Sequence, residues 1–91
     1  MTLRMVAYFE CLPGKRDEVT KLYSQLCPEF RQEPGCLEHQ MYQSVENPDS
    51  VILLERWTDQ PSVDAHLAAL MARGLNLETL RRPVKADHYE E

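Results

Sequence analysis

Three residues in this 91-residue chain have types and spacing that could do chemistry: Glu55, Trp57 and His66. They belong to one stretch, Glu-Arg-Trp-Thr-Asp-Gln-Pro-Ser-Val-Asp-Ala-His, which holds the only tryptophan. An imidazole changes charge close to neutral pH and can take or give a proton there. An indole offers a broad apolar face against which another ring can lie. Glu55 shares a strand face with Trp57, so it either orients a neighbouring donor or points to water at the strand end.

The flanking sequence says what must hold these groups. Val51-Ile52-Leu53-Leu54 reads as a strand ending near Trp57. Thr58 or Asp59 can cap a following helix, and Pro61 suits its first turn, where a missing N–H costs nothing. On that helix Val63, His66, Leu67 and Leu70 follow the i, i+3, i+4, i+7 spacing, which turns His66 inward with the aliphatic residues. A strand-to-helix corner therefore delivers an aromatic ring and an imidazole towards one interior. Read as plain structure, both residues would equally serve as core, with the imidazole nitrogens bonded to backbone.

The remaining reactive side chains form no pattern of their own. Cys11, Cys27 and Cys36 are odd in number and contain no CxxC pair, as expected of reduced thiols in a reducing compartment. Cys36, in a turn, is the one to test for reactivity. No two of His39, His66 and His88 lie at ligand spacing, so no metal is expected.

Ninety-one residues make one small domain, spanning 1–91. Such a chain buries only about 60–65% of the surface its unfolded form exposes, and gains from association. A net charge of −5 argues against nucleic acid or an anionic membrane as partner. Lys15-Arg16 and Arg81-Arg82 are isolated basic pairs, expected to be solvated. No apolar run approaches the ~20 residues that span a bilayer, and the N-terminus lacks a signal-peptide core, so a cytoplasmic location is expected.

Taken in order, Leu3 to Glu10 reads as a strand with Leu3, Met5, Ala7 and Phe9 on one face. Pro13-Gly14 turns the chain into a helix whose stripe is Val19, Leu22, Tyr23, Leu26, Cys27 and Phe30. Pro28 predicts a kink, and Pro34-Gly35 the end of the helix. Leu37 to Val45 is a second strand, with Leu37, His39 and Met41 opposite Glu38, Gln40 and Tyr42. Glu46-Asn47-Pro48-Asp49 makes a hairpin with strand three. Strand three is apolar on both faces, so both sides of the sheet should be covered, one by helices and the other by a partner. Gly74 ends the second helix, Leu75, Leu77 and Leu80 suggest a short helical turn, and Pro83 to Tyr89 a last strand. The order β-α-β-β-α-β is that of the α+β ferredoxin-like unit.

With these elements in place, the sequence resembles the antibiotic biosynthesis monooxygenase family, especially its small quinol monooxygenase-like members. The matching residues are Pro13-Gly14, Pro28, Glu33-x-Gly35-Cys36, Glu55-x-Trp57 with His66 beyond, and Tyr89. The resemblance implies a homodimeric α/β barrel, two ferredoxin-like subunits packed sheet to sheet. It implies a pocket between sheet and helices that needs no flavin, haem, metal or other cofactor. There dioxygen would oxidise a quinol-like or polyphenolic small molecule. His66 would be the base or hydroxyl-orienting group and Trp57 the platform for the substrate ring, the two catalytic residues. Ala7, Phe9, Phe30, Glu55 and Leu70 would line the substrate-binding walls.

Two departures narrow the expectation. Haem-degrading members carry an asparagine on the first strand where Ala7 stands here, so haem oxygenation is not expected. Where many members place a second histidine or aromatic after the helix-two histidine, this chain has Leu70-Met71-Ala72. Two alternatives accompany the monooxygenase reading: a non-catalytic dimeric barrel binding a small aromatic or apolar ligand, and an isomerase of a small phosphorylated signal molecule. The isomerase would need several cationic pocket groups, and the arginines fall mostly on expected exteriors.

Overall fold

A computed structural model of the chain describes residues 2–91. Strand β1 (Leu3–Cys11) leads into helix α1 (Arg16–Phe30), followed by β2 (Cys36–Gln43), β3 (Ser50–Trp57), helix α2 (Gln60–Ala72), a 3₁₀ turn (Leu77–Thr79) and β4 (Arg81–Glu90). The four strands form one antiparallel sheet in the order β2-β3-β1-β4. This is the ferredoxin-like arrangement expected from the sequence.

The pairing register explains which side chains meet. Leu3, Met5, Ala7 and Phe9 of β1 lie opposite Trp57, Glu55, Leu53 and Val51 of β3. All eight face the helices, because directly paired residues share a face. The core forms there from Cys11, Val19, Tyr23, Leu26, Cys27, Phe30, Val51 and Leu53, closed at one edge by Leu80. Both helices lie on this face. The other face carries Val6, Tyr8, Ile52 and Leu54, all half-buried in the single chain, beside an exposed Tyr42.

Local chemistry accounts for the helix boundaries. Asp17 and Glu18 occupy the first turn of α1, where the helix dipole favours acids. The helix runs through Pro28 and stops at Phe30, before Pro34-Gly35. Asp59 is the N-cap of α2, its side chain accepting from the Ser62 backbone N–H at 2.9 Å. Gly35 is required by crowding: its φ is +84°, and a Cβ there would come within 2.8 Å of Thr58 Oγ1 and overlap the Ser62 side chain.

Three expectations fail for identifiable reasons. Leu37 points outward, because an irregularity in the β2–β3 pairing between Cys36 and Glu38 breaks the alternation at that residue. Leu67 is exposed, and the buried stripe of α2 narrows to Val63 and His66 with Leu70 half-buried. Arg81 is half-buried rather than freely solvated. Its guanidinium sits 3.7 Å from the Phe9 ring centroid while its Nε–H donates to Tyr23 Oη at 3.1 Å, sealing the core edge. No helix among the described residues is long and apolar enough to cross a membrane.

Candidate active site

The end of the sheet beneath α2 gathers four rings. β3 alternates strictly, so Glu55 and Trp57 both face inward, at 6% and 0% exposure. The hairpin register sets His39 of β2 directly opposite Glu55. His66 descends from α2 and Phe30 closes the cluster from the last turn of α1. The His66 ring lies 4.7 Å from Trp57, tilted by 37°, and meets Phe30 edge-on at 4.7 Å. His39 is 4.8 Å from Phe30 and 5.4 Å from His66.

Polar contacts fix these rings. His66 Nδ1 lies 2.9 Å from Glu33 Oε1, in the turn between α1 and β2. A carboxylate only accepts, so Nδ1 is the donor, and in the neutral imidazole Nε2 keeps its lone pair. This is the carboxylate-backed imidazole of general-base sites. The Trp57 indole N–H donates to Glu55 Oε1 at 2.9 Å. That resolves the two readings of Glu55: it is buried and engages a neighbouring donor.

Burial decides the charge state of the inner pair. The imidazole of His39 is pushed down to about 3, chiefly by desolvation and further by His66 and Arg31. Burial also raises the Glu55 carboxyl, opposed by the bond from Trp57. The 3.5 Å approach of His39 Nε2 to Glu55 Oε1 is therefore a contact of a neutral imidazole with a carboxyl, not an ion pair. The second His39 nitrogen, Nδ1, lies 3.6 Å from Cys27 Sγ, and Arg31 donates to the His39 carbonyl at 2.8 Å.

The expected site residues divide into two groups. His66, Trp57, Glu55 and Phe30 come together. Ala7, Phe9 and Leu70 pack instead against the aliphatic core nearer the other end of the sheet. Trp57 differs from its expected role, since with no exposed surface its open face is already taken by His66. It is a platform for the imidazole. His66, itself only 4% exposed, is the member that borders a groove of about 440 Å³ whose walls include Glu33, Pro34, Pro61, Ser62, Ala65 and Ala69. A hollow between β1, β4 and the start of α2, lined by Met5 and His88, measures about 190 Å³. That is below the ~300–1,000 Å³ of ordinary ligand pockets. Cys36 also loses its candidacy for reactivity: burial raises its thiol to about 11, so no thiolate forms near neutral pH.

Glu33 and His39 were not singled out as site residues by sequence. Glu33 was legible as part of Glu33-x-Gly35-Cys36, without a partner. His39 was legible as inward-facing. The hairpin turn centred on Asn47 places 39 opposite 55, and that signal pairs the imidazole with the carboxyl.

The fold and the site together define a small ferredoxin-like domain that carries a carboxylate-backed histidine stacked on a buried tryptophan. The chain belongs to the antibiotic biosynthesis monooxygenase family, whose model matches residues 2–74. It is 26% identical over 76 residues to YcnE of Bacillus subtilis, which carries a provisional monooxygenase name; the match covers 78% of this chain and 80% of that protein. Among solved structures, PA3566 from Pseudomonas aeruginosa superposes with a TM-score of 0.88 at 22% identity, covering 99% of this chain and 93% of that one. SnoaB from Streptomyces nogalater, a cofactor-independent oxygenase, superposes with a TM-score of 0.83 at 17% identity, covering 99% and 92%. These last two likenesses establish the fold.

Proposed function

We propose that the protein is a cofactor-independent monooxygenase acting on a small electron-rich phenol or quinol, with His66 as the general base. The observation that carries this reading is the His66 ring itself, bonded at Nδ1 to Glu33, resting on Trp57 and lining the groove. Family membership and the SnoaB fold likeness support it.

The chemistry asks little more of the protein. His66 Nε2 takes the phenolic proton, and the electron-rich anion passes an electron to dioxygen. Recombination forms a C–O bond at an unsubstituted ring carbon, giving a peroxide anion. Transfer of that carbon's hydrogen to the outer oxygen as a proton, with cleavage of the O–O bond, leaves a quinone carbonyl and a hydroxide that becomes water, so one oxygen atom stays and the other leaves. The imidazolium returns its proton to the departing hydroxide. Pro34, Pro61, Ala65 and Ala69 give the groove apolar walls against which the substrate ring can lie.

The test is oxygen consumption in the presence of a strong chelator, with a reduced naphthoquinone and an anthrone as substrates, followed by quinone absorbance. A rate well above the spontaneous background is expected. A rate equal to background for both would leave a binding module in place of an enzyme.

The reading includes a homodimer. Val6, Tyr8, Ile52 and Leu54 form an apolar band on the face without helices, and a second copy laid sheet to sheet would cover it. Sedimentation equilibrium should return twice the 10.6 kDa chain mass; a monomer would remove the pairing.

A further inference from the structure

Two imidazoles and a carboxyl from three different elements converge beneath α2: His39 of β2, Glu55 of β3 and His66 of α2. One donor atom of each lies within 4.8 Å of the other two, and all three residues are buried. A point equidistant from three atoms so spaced lies within about 2.8 Å of each, against zinc–nitrogen and zinc–oxygen bonds of about 2.0–2.2 Å. Closing that gap takes a shift of about 0.6–0.8 Å at each donor atom.

The surroundings match what a metal site requires of its outer shell. A ligating imidazole ordinarily has its second nitrogen bonded, which fixes the ring and the tautomer. Here the second nitrogen of His66 is held by Glu33 at 2.9 Å and that of His39 faces Cys27 Sγ at 3.6 Å. The Glu55 carboxyl is steadied by the Trp57 indole at 2.9 Å.

We propose that His39, Glu55 and His66 form a binding site for a divalent first-row transition ion of the zinc class. The donor set, two imidazoles and one carboxylate, is one that zinc and ferrous iron both accept. The free lone pair of His66 serves either the ion or a substrate proton. Occupancy of the site therefore opposes the base chemistry proposed above, and the site inhibits rather than assists turnover. Metal binding itself does not depend on that reading, because it is measured without substrate.

The experiment uses the full chain, stripped with chelator and titrated with Co²⁺ for its visible d–d absorption, then with Zn²⁺ in competition with a chromophoric chelator. One ion per chain is expected. H39N and H66N should each weaken binding at least about tenfold. The surface variant H88N should leave it unchanged. X-ray absorption of the zinc-loaded wild-type protein guards against variants that fail to fold: two imidazole nitrogens and a carboxylate oxygen are expected, with no sulfur. No cobalt band, a sulfur ligand, or an affinity unmoved by H39N and H66N would overturn the proposal. Turnover without metal binding sinks this inference alone, and metal binding without turnover sinks the oxygenase reading alone.

Discussion

If the protein is the proposed oxygenase, His66→Asn is expected to lower its turnover by about 100-fold to 10,000-fold, the range spanned by a positioned general base. Asparagine keeps a polar side chain near Glu33 but has no lone-pair nitrogen of useful basicity. The loss should therefore fall on kcat, with KM for the phenol little changed, because the groove walls are untouched. Glu33→Gln separates positioning from basicity. Its amide can present an N–H to Nδ1 and so turn the imidazole into the tautomer that protonates Nε2. A fall of about tenfold to a hundredfold is expected, with the protein still folded. Kinetics of purified variants under chelation read both effects, with a thermal melt beside each. Unchanged kcat in H66N would take the base role away from this residue.

Trp57→Ala gives the largest stability loss expected anywhere in the chain. The side chain is 0% exposed and touches both His66 and the end of β3. Truncating a buried tryptophan costs about 3–5 kcal/mol, and deletion here also strips Glu55 of its indole donor. Against a total stability of about 5–15 kcal/mol for a domain, that is a large share. A fall in Tm of roughly 15–30 °C follows for a chain of this size. Trp57→Phe keeps most of the ring area but leaves the buried carboxyl without its donor, at a cost of about 1–3 kcal/mol. Calorimetry or denaturant unfolding compares the two. If W57A melts within a few degrees of wild type, Trp57 is not the anchor of this cluster.

Much of this site could be read from local pattern, and what was missed is long-range. The inward turn of His66 follows from helical spacing with Val63 and Leu70, and Asp59 as cap follows from the Asp-Gln-Pro-Ser stretch. Alternation along β3 puts Glu55 and Trp57 on one face without any knowledge of neighbours. Spacing along the chain says nothing of His39 meeting His66, because the two lie on different elements joined only by the topology. Glu33 is harder still: it bonds His66 across 33 residues, from a turn whose path depends on the crowded approach of Gly35 to Thr58 and Ser62. Leu37 and Leu67 were misplaced for the opposite reason. Both obey the local period, and each is overridden, one by a break in strand pairing and one by a helix that presents too narrow a face to the sheet.

The most direct measurement is a crystal structure of the protein with a bound naphthol that cannot be oxidised under anaerobic conditions. The expected result seats the aromatic ring in the groove beside α2, its hydroxyl within hydrogen-bonding distance of His66 Nε2. A ring bound instead on the helix-free sheet face, or with its hydroxyl turned away from that imidazole, would contradict the assignment.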